Sequence, residues 1–251
     1  MSAEVTAIIT THGRPACVEQ ALASVRAETH RNIEIVVVDD SVGSGVARAR
    51  NLGLAAARGE FVIFLDDDDI ALPHRISSLV SAARRHGATL CFGITRRRID
   101  DTADLLESVP TYLVPGPIEF CDLLSCNPHV NAVLARTEAV RDAGGFDAGA
   151  DHFDDWSAWL RIADRDAVVW SIATTVAEWR VHPRGLTAHV MQKRAMKTRV
   201  LSLFERLQPC LSDKNARAVA MAHRIVAASD IITYDDYADA MALVRNELQA
   251  A

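Results

Sequence analysis

The chain lacks the features that would tie it to a membrane, a disulfide framework or a nucleic acid. It has only five cysteines, Cys17, Cys91, Cys121, Cys126 and Cys210, in 251 residues. They are scattered and odd in number, which excludes a fully paired framework and favours a reducing, cytoplasmic compartment. Cys121, Cys126 and His129 have no fourth ligand at zinc-site spacing, so no zinc centre is expected. No apolar run approaches the ~20 residues that span a bilayer. No basic start followed by a long apolar stretch marks a secretory leader. Positive charge is not in excess either. The formal net charge of -6 argues against nucleic-acid binding, which needs a basic footprint. There is no internal repeat, no low-complexity segment and no Gly-rich phosphate loop near the N-terminus. What remains is 49% hydrophobic and 24% charged, the balance of a soluble globular protein. The length fits one large domain or two small ones closely fused.

Three short apolar runs, residues 5–9, 33–38 and 61–65, dominate the first third. Each is rich in β-branched residues and continuously apolar, as in parallel strands buried on both faces. Between the first two, PACVEQALASVRAE places Val18, Ala21, Leu22 and Val25 at helical spacing, with Pro15 in the first turn. ARARNLGLAAARGE reads as a second helix stopping near Gly59. HRISSLVSAARRH follows Pro73 with Ile76, Leu79, Val80 and Ala83 on one stripe, and TLCFGIT reads as a fourth strand. Alternating strands and helices predict an α/β unit with a mostly parallel sheet. The region from about 96 to 149 is less regular. TEAVRDAGG predicts a short helix with Thr137 as N-cap and Gly144 as its stop. HFDDWSAWLRIADR predicts a helix that starts at Asp154 and Asp155, and VVWSIATTVAEWRV a pair of strands. From residue 191 onward the pattern is helical, with breaks near Pro209 and residues 232–234.

Four consecutive aspartates, Asp66, Asp67, Asp68 and Asp69, follow the third run. Strand alternation puts Asp66 and Asp68 on one face. Two converging carboxylates call for a hard divalent cation, and Mg²⁺ so held usually bridges to phosphates. The alternative is a solvated acidic turn. Thr10, Thr11 and His12 follow the first strand, and Asp39 and Asp40 the second. All three polar clusters fall at carboxyl ends of neighbouring strands, where open α/β sheets bind ligands.

VTAIITTHGR, IEIVVVDDS, ARNLGLAAARGEFVIFLDDDDIALP, GGFD, FDDWSAWLR and WRVHPRG occur in that order over residues 4–187. In this the chain resembles the family-2 glycosyltransferases of GT-A fold. The resemblance implies a GT-A type, Rossmann-like, mostly parallel sheet flanked by helices, with a helical C-terminal extension. It implies a nucleotide-sugar-binding half (1–100), an acceptor-binding and catalytic-base half (101–190) and the extension (191–251). The implied activity is inverting transfer of a sugar from a nucleoside-diphosphate sugar, with UDP the expected nucleotide, helped by Mn²⁺ or Mg²⁺. The family's DxD metal motif matches Asp66 and Asp68, and its nucleoside positions match Thr10, His12 and Asp40. Its catalytic base matches Asp155. Three departures stand out: His12 replaces an aromatic tyrosine, Asp154 replaces a glutamate, and only SVGSGV separates Asp40 from the ARARN segment.

Further candidates carry two readings each. His182 is a metal or diphosphate neighbour, or a surface ring. Arg180 and Arg184 are fork-like diphosphate contacts, or surface ion-pair residues. Arg50 and Asn51 face the same strand edge as donor contacts. Arg96, Arg97 and Arg98 form a solvated face, or meet an anionic acceptor. Asp155 is a general base, or a helix-capping carboxylate. Trp156 and Trp159 fit a buried helical stripe, with stacking on a sugar as the other reading. By the resemblance, Asn127, His129 and Asn131 fall on the family's acceptor side. The acceptor itself stays open between a natural product, a polysaccharide and a protein. The C-terminal helices are expected to close the acceptor pocket, form a homodimer contact or dock a partner, and their amphipathic stripes favour packing on this chain or a copy of it. Two other functions compete: a sugar nucleotidyltransferase, and a non-catalytic nucleotide-sugar-binding module.

Overall fold

The computed structural model describes residues 3–99, 105–106, 114–150, 152–181, 193–229, 237, 240–244 and 246–247. The first third alternates as its pattern predicts: β1 (Val5–Thr11), α1 (Pro15–Arg26), β2 (Ile33–Asp39), α2 (Val46–Ala56) and β3 (Phe61–Asp66). There follow β4 (Ile70–Ala71), α3 (Arg75–His86), β5 (Leu90–Ile99), β6 (Leu105–Leu106), β7 (Gly116–Ile118) and α4 (Phe120–Ser125). A 3₁₀ turn (Val130–Ala132) leads into β8 (Val133–Arg136), α5 (Thr137–Asp142), α6 (Asp154–Ala163) and β9 (Val169–Val181). Two further helices follow, α7 (Lys193–Leu207) and α8 (Asp213–Ala228), joined through a 3₁₀ turn (Gln208–Cys210).

One sheet runs in the order β2-β1-β3-β8-β5-β9-β4, with β6 paired to β5 and β7 to β9. β1 pairs in parallel with both β2 and β3. β8 is antiparallel to both β3 and β5, so those two point the same way, and β9 runs parallel to β5. The sheet is therefore mixed but mostly parallel. Alternate residues of β1 and β3 feed two cores. Val5, Ala7, Ile9, Phe61, Ile63 and Leu65 join α1 and the Ile76–Leu79–Ala83 stripe of α3. Ile8, Val62 and Phe64 join Leu54, Trp156 and Trp159 on the other face.

Several expectations are corrected. β2 is an edge strand, not one buried on both faces, and Val37 is 43% exposed. α2 ends at Ala56, before Gly59. Gly59 instead marks a close backbone approach, since a Cβ there would lie 2.5 Å from the Thr6 nitrogen. Thr137 does not cap α5 through its side chain, because its hydroxyl donates to the Gly59 carbonyl at 2.7 Å. The predicted strand pair is one long strand, β9, with register shifts against β5 between Phe92 and Thr95. Gly93 lies at that irregularity, where a Cβ would sit 2.7 Å from the Thr174 carbonyl oxygen. The apolar stripes of the C-terminal helices are used within the chain. Val200, Leu203, Phe204 and Leu207 of α7 and Val219, Ala222 and Val226 of α8 share the core of Trp156 and Trp159.

Candidate active site

The carboxyl ends of β1, β2 and β3 lie side by side, Thr10 opposite Asp66 and Thr11 opposite Asp39. Strand β3 ends at Asp66, and residues 67–69 turn, with the Asp69 N–H donating to the Asp66 carbonyl at 3.0 Å. A turn, not strand alternation, therefore divides the four aspartates. Asp67 and Asp69 are buried, whereas the side chains of Asp66 and Asp68 keep 26% and 20% exposure.

Each carboxylate has its own partners. Asp66 accepts from the Thr10 hydroxyl at 2.9 Å and from Arg50 at 3.0 Å on both oxygens. Burial opposes its charge, but Arg50, His129 and Thr10 overcome this and hold its pKa below the ordinary value. Arg14, just before α1, donates to Asp67 through Nε (3.1 Å) and a terminal nitrogen, and to Asp68 at 2.8 Å. Thr11 adds a 2.5 Å bond to Asp67. Burial still raises the Asp67 pKa, as the neighbouring aspartates do. Asp69 accepts from Asn131 Nδ2 at 2.7 Å and from the Arg180 N–H at 3.0 Å. Burial first, then the charges of Asp66 and Asp68, push its pKa well up. Arg75 lies beneath, fully buried, donating to the Phe64 carbonyl at 2.9 Å. Burial lowers its pKa to about 10.

Arg50 connects this edge to the head of α6. It is 5% exposed and donates to Asp154 at 2.8 Å while holding Asp66. Its pKa is raised because the charges of Asp66, Asp154 and Asp155 outweigh burial. α6 begins after Phe153, whose φ of 63° is left-handed and strained for a residue with a Cβ. Asp155 follows, with Oδ1 accepting from the Trp156 N–H at 2.7 Å and from Asn127 Nδ2 at 3.2 Å. Burial, then the neighbouring Asp154, raise its pKa to about 6 against the pull of Arg50. Trp156 and Trp159 are core residues, and Trp156 donates to the Leu123 carbonyl at 2.7 Å.

The nucleoside candidates also meet. Asp40 accepts from the Ser44 N–H (2.7 Å) and hydroxyl (2.6 Å) on one oxygen and from the Gly45 N–H (2.7 Å) on the other. The Ser44 hydroxyl bond does most to lower its pKa. The short SVGSGV connection is thus closed on Asp40 at the start of α2. His12 Nδ1 lies 2.6 Å from the Asp40 carbonyl oxygen.

Other candidates have structural duties. Arg180 braces the aspartate turn, donating to the Asp68 and Asp67 carbonyls and, at 2.5 Å, to Gln20. Asn51 faces away from the strand edge, exchanging hydrogen bonds of 2.7 and 2.8 Å with the Phe146 backbone. It fastens the GGFD segment to α2. Arg96 and Arg98 both pair with Glu178. Burial lowers the pKa of His129, whose ring lies 5.3 Å from that of Trp179. His182 and Arg184 lie outside the described residues. Sequence reasoning missed Arg14, whose only local signal was its place three residues beyond β1, at the same strand edge as the aspartates. It also missed the Asn127–Asp155 bond.

Among the described residues, no three His, Cys, Asp or Glu side chains converge as a metal cage. Asp66 and Asp68 supply hard oxygen donors at an exposed edge. That set suits Mg²⁺ or Mn²⁺ when substrate phosphates and water complete the shell.

Comparison with known proteins bears on the fold and the family. The model of "Glycosyl transferase family 2" matches residues 6–44 and 41–109. An uncharacterized glycosyltransferase of Rickettsia bellii is 24% identical over 188 residues, covering 65% of this chain and 27% of its own length. The chain thus spans under a third of the length of such curated relatives. S. aureus TarS 1-349, solved with UDP-GlcNAc, superposes with a TM-score of 0.61 at 13% identity, over 97% of this chain and 92% of its own. The mannosyltransferase PcManGT from Pyrobaculum calidifontis, solved with GDP-Man and Mn²⁺, gives 0.62 at 18% identity, over 100% and 76%. At such identities these two structures establish the fold. The match to glycosyl transferase family 2 over residues 6–109, a stretch that contains the aspartate edge, and the fold shared with these two structures make the chain similar to that family.

Proposed function

We propose that the chain is a metal-dependent inverting glycosyltransferase. It moves a sugar from a nucleoside-diphosphate sugar to an acceptor hydroxyl, with Asp155 as general base. The observation that carries this reading is Arg50, which ties Asp66 of the strand edge to Asp154 beside Asp155. Donor and base sites are thereby held in one rigid cluster. Residues 1–100 form the donor half, 101–190 the acceptor and base half, and 191–251 a helical extension.

Thr10, His12 and Asp40 line the nucleoside side, and Arg180 keeps the aspartate turn in shape next to the diphosphate. Asp66 and Asp68 would hold Mn²⁺ or Mg²⁺ against the diphosphate, and the ion would neutralise the charge that builds on the departing phosphate oxygens. Asp155 takes the proton of the acceptor hydroxyl as its oxygen attacks the anomeric carbon. Attack opposite the leaving diphosphate inverts that carbon. A pKa near 6 suits the role, since Asp155 is then charged at neutral pH yet more basic than an exposed carboxylate. A UDP donor is supported by the likeness to TarS, solved with UDP-GlcNAc, and a metal by PcManGT, solved with Mn²⁺.

The test is turnover of UDP-, GDP- and dTDP-sugars with Mn²⁺ or Mg²⁺, following release of the nucleoside diphosphate. Asp155→Asn should lower the rate by about 10²–10⁴-fold while nucleotide binding persists. Full activity in that variant removes Asp155 as the base. Pyrophosphate release from a nucleoside triphosphate and a sugar phosphate would point to nucleotidyl transfer instead.

A further inference from the structure

The two oxygens of Asp155 are not equivalent. Oδ1 accepts from the Trp156 N–H at 2.7 Å and from Asn127 Nδ2 at 3.2 Å. Asp154, next in the chain, turns the other way, to Arg50. Among the described residues no hydrogen bond reaches Oδ2 of Asp155. Asn127 lies between α4 and the 3₁₀ turn, and its own Oδ1 is buried without a hydrogen-bond partner. Its amide is therefore committed to Asp155 through Nδ2 alone.

We propose that Asn127 is the positioning residue of the base: with the Trp156 amide it fixes Oδ1, so that Oδ2 receives the acceptor proton. The inference rests on Asp155 being the base. Its logic is that of a carboxylate and the acid it becomes. In the charged form, two donors hold Oδ1 and reduce its basicity, leaving Oδ2 as the reactive oxygen. When the proton arrives on Oδ2, Oδ1 becomes the carbonyl oxygen of a neutral acid, which still accepts both bonds. No donor must move during the transfer, so the arrangement is preorganised. The balance is simple. The acceptor O–H bond breaks, its proton joins Oδ2, the oxygen bonds to the anomeric carbon, and the bond to the diphosphate breaks. The proton on Oδ2 then returns to water. Among the described residues, the charged groups acting most on Asp155 are Asp154 on its own helix and Arg50 on α2. Asn127 adds the neutral donor from the third side.

The experiment compares wild type, Asn127→Ala and Asn127→Asp by the pH profile of kcat/KM. Its substrate is whichever UDP-, GDP- or dTDP-sugar gives the fastest Mn²⁺-dependent hydrolysis, with water as acceptor. Asn127→Ala removes a donor to a charged oxygen, so the acid limb should move up by about one pH unit. In the Asp variant an acceptor faces Oδ1, and the limb should move further. The dissociation constant of the free nucleotide, measured by calorimetry, should not change, which also verifies folding. An acid limb that stays in place in both variants overturns the proposal, even if kcat falls, because a packing role alone would give that result. The two readings fail separately. Full activity of Asp155→Asn removes the base itself, whereas an inactive Asp155→Asn with an unmoved limb in the Asn127 variants removes only the role of Asn127.

Discussion

Arg50 is the residue whose loss should be felt most. Its guanidinium is buried and lies 3.0 Å from Asp66 and 2.8 Å from Asp154. Its charged end also lies 5.6 Å from the centre of the Phe146 ring. Arg50→Met keeps the apolar stem but leaves two carboxylates without their shared counter-charge, next to Asp155. Breaking a buried pair by removing one partner costs about 3–5 kcal/mol, mainly from the charge left behind. At roughly 2–4 °C per kcal/mol for a chain of this size, Tm should fall by on the order of 10 °C. Arg50→Lys should recover only part, because an ammonium cannot fork to two carboxylates at once. Urea unfolding of Arg50→Met, Asp154→Asn and the double variant separates the terms. The double variant should be more stable than the sum of the singles by about 1–3 kcal/mol, since Asp154→Asn removes one stranded charge. If Arg50→Met unfolds within about 1 kcal/mol of wild type, or the two changes add, Arg50 is not the tie between the strand edge and α6.

Four further outcomes follow. With its pKa raised to about 6, Asp155 loses its charge below that value. kcat/KM should therefore fall about tenfold per pH unit on the acid side, and a limb near 4 would contradict the burial argument. The same raised pKa makes the charged form a stability cost above pH 6 that is relieved as pH falls toward the unfolded value. Asp155→Asn should thus be more stable than wild type at pH 8 and equal to it near pH 4 in urea titrations. Gly145 has φ +66°, and a Cβ there would lie 2.4 Å from Asn51 Oδ1. Gly145→Ala should cost about 1–3 kcal/mol, and less in an Asn51→Ala background, where the clashing atom is gone. Asp40→Ala loses three hydrogen bonds at the head of α2. It should cost about 1–2 kcal/mol by denaturant titration and weaken nucleotide binding in calorimetry.

How far the sequence revealed this architecture depends on the range of the forces involved. β1, β3 and the stripe of α3 were legible because burial writes a local pattern into each segment. The insertion of β8 between β3 and β5 was not, since a short VLAR strand carries no record of its neighbours. β9 was read as two strands because its irregularity is set by the facing β5 and Gly93, not by its own residues. The division of the aspartates was legible, though a turn after Asp66 produces it rather than strand alternation. Arg14 and Asn127 were hidden for another reason. Their partners lie 53 and 28 residues away, and an isolated Arg or Asn has many possible uses. Arg50 and Asn51 were noticed as a pair, but only the fold separates a bridge between carboxylates from a clamp on Phe146.

The aspartate run looked from sequence alone as if it needed a cation to be tolerable. In the fold, Arg14 pairs with Asp67 and Asp68, Arg50 with Asp66, and Arg75 lies buried below. Arg180 ties down the carbonyls of the turn. The protein's own arginines supply counter-charge, so folding should not depend on metal. This differs from small zinc domains, whose binding energy is their folding energy. On the proposed function, a divalent ion arriving with the diphosphate would compete with Arg50 for Asp66 and with Arg14 for Asp68. The ion should therefore bind weakly alone and firmly with nucleotide. A chelator should abolish turnover while leaving the Tm of the nucleotide-free protein within about 2 °C, less than 1 kcal/mol on this scale. Mn²⁺ should raise Tm appreciably only when UDP or GDP is also present, through linked binding. A large loss of Tm on chelation of the nucleotide-free protein would show that the arginines are insufficient, and that the four carboxylates depend on metal for the fold itself.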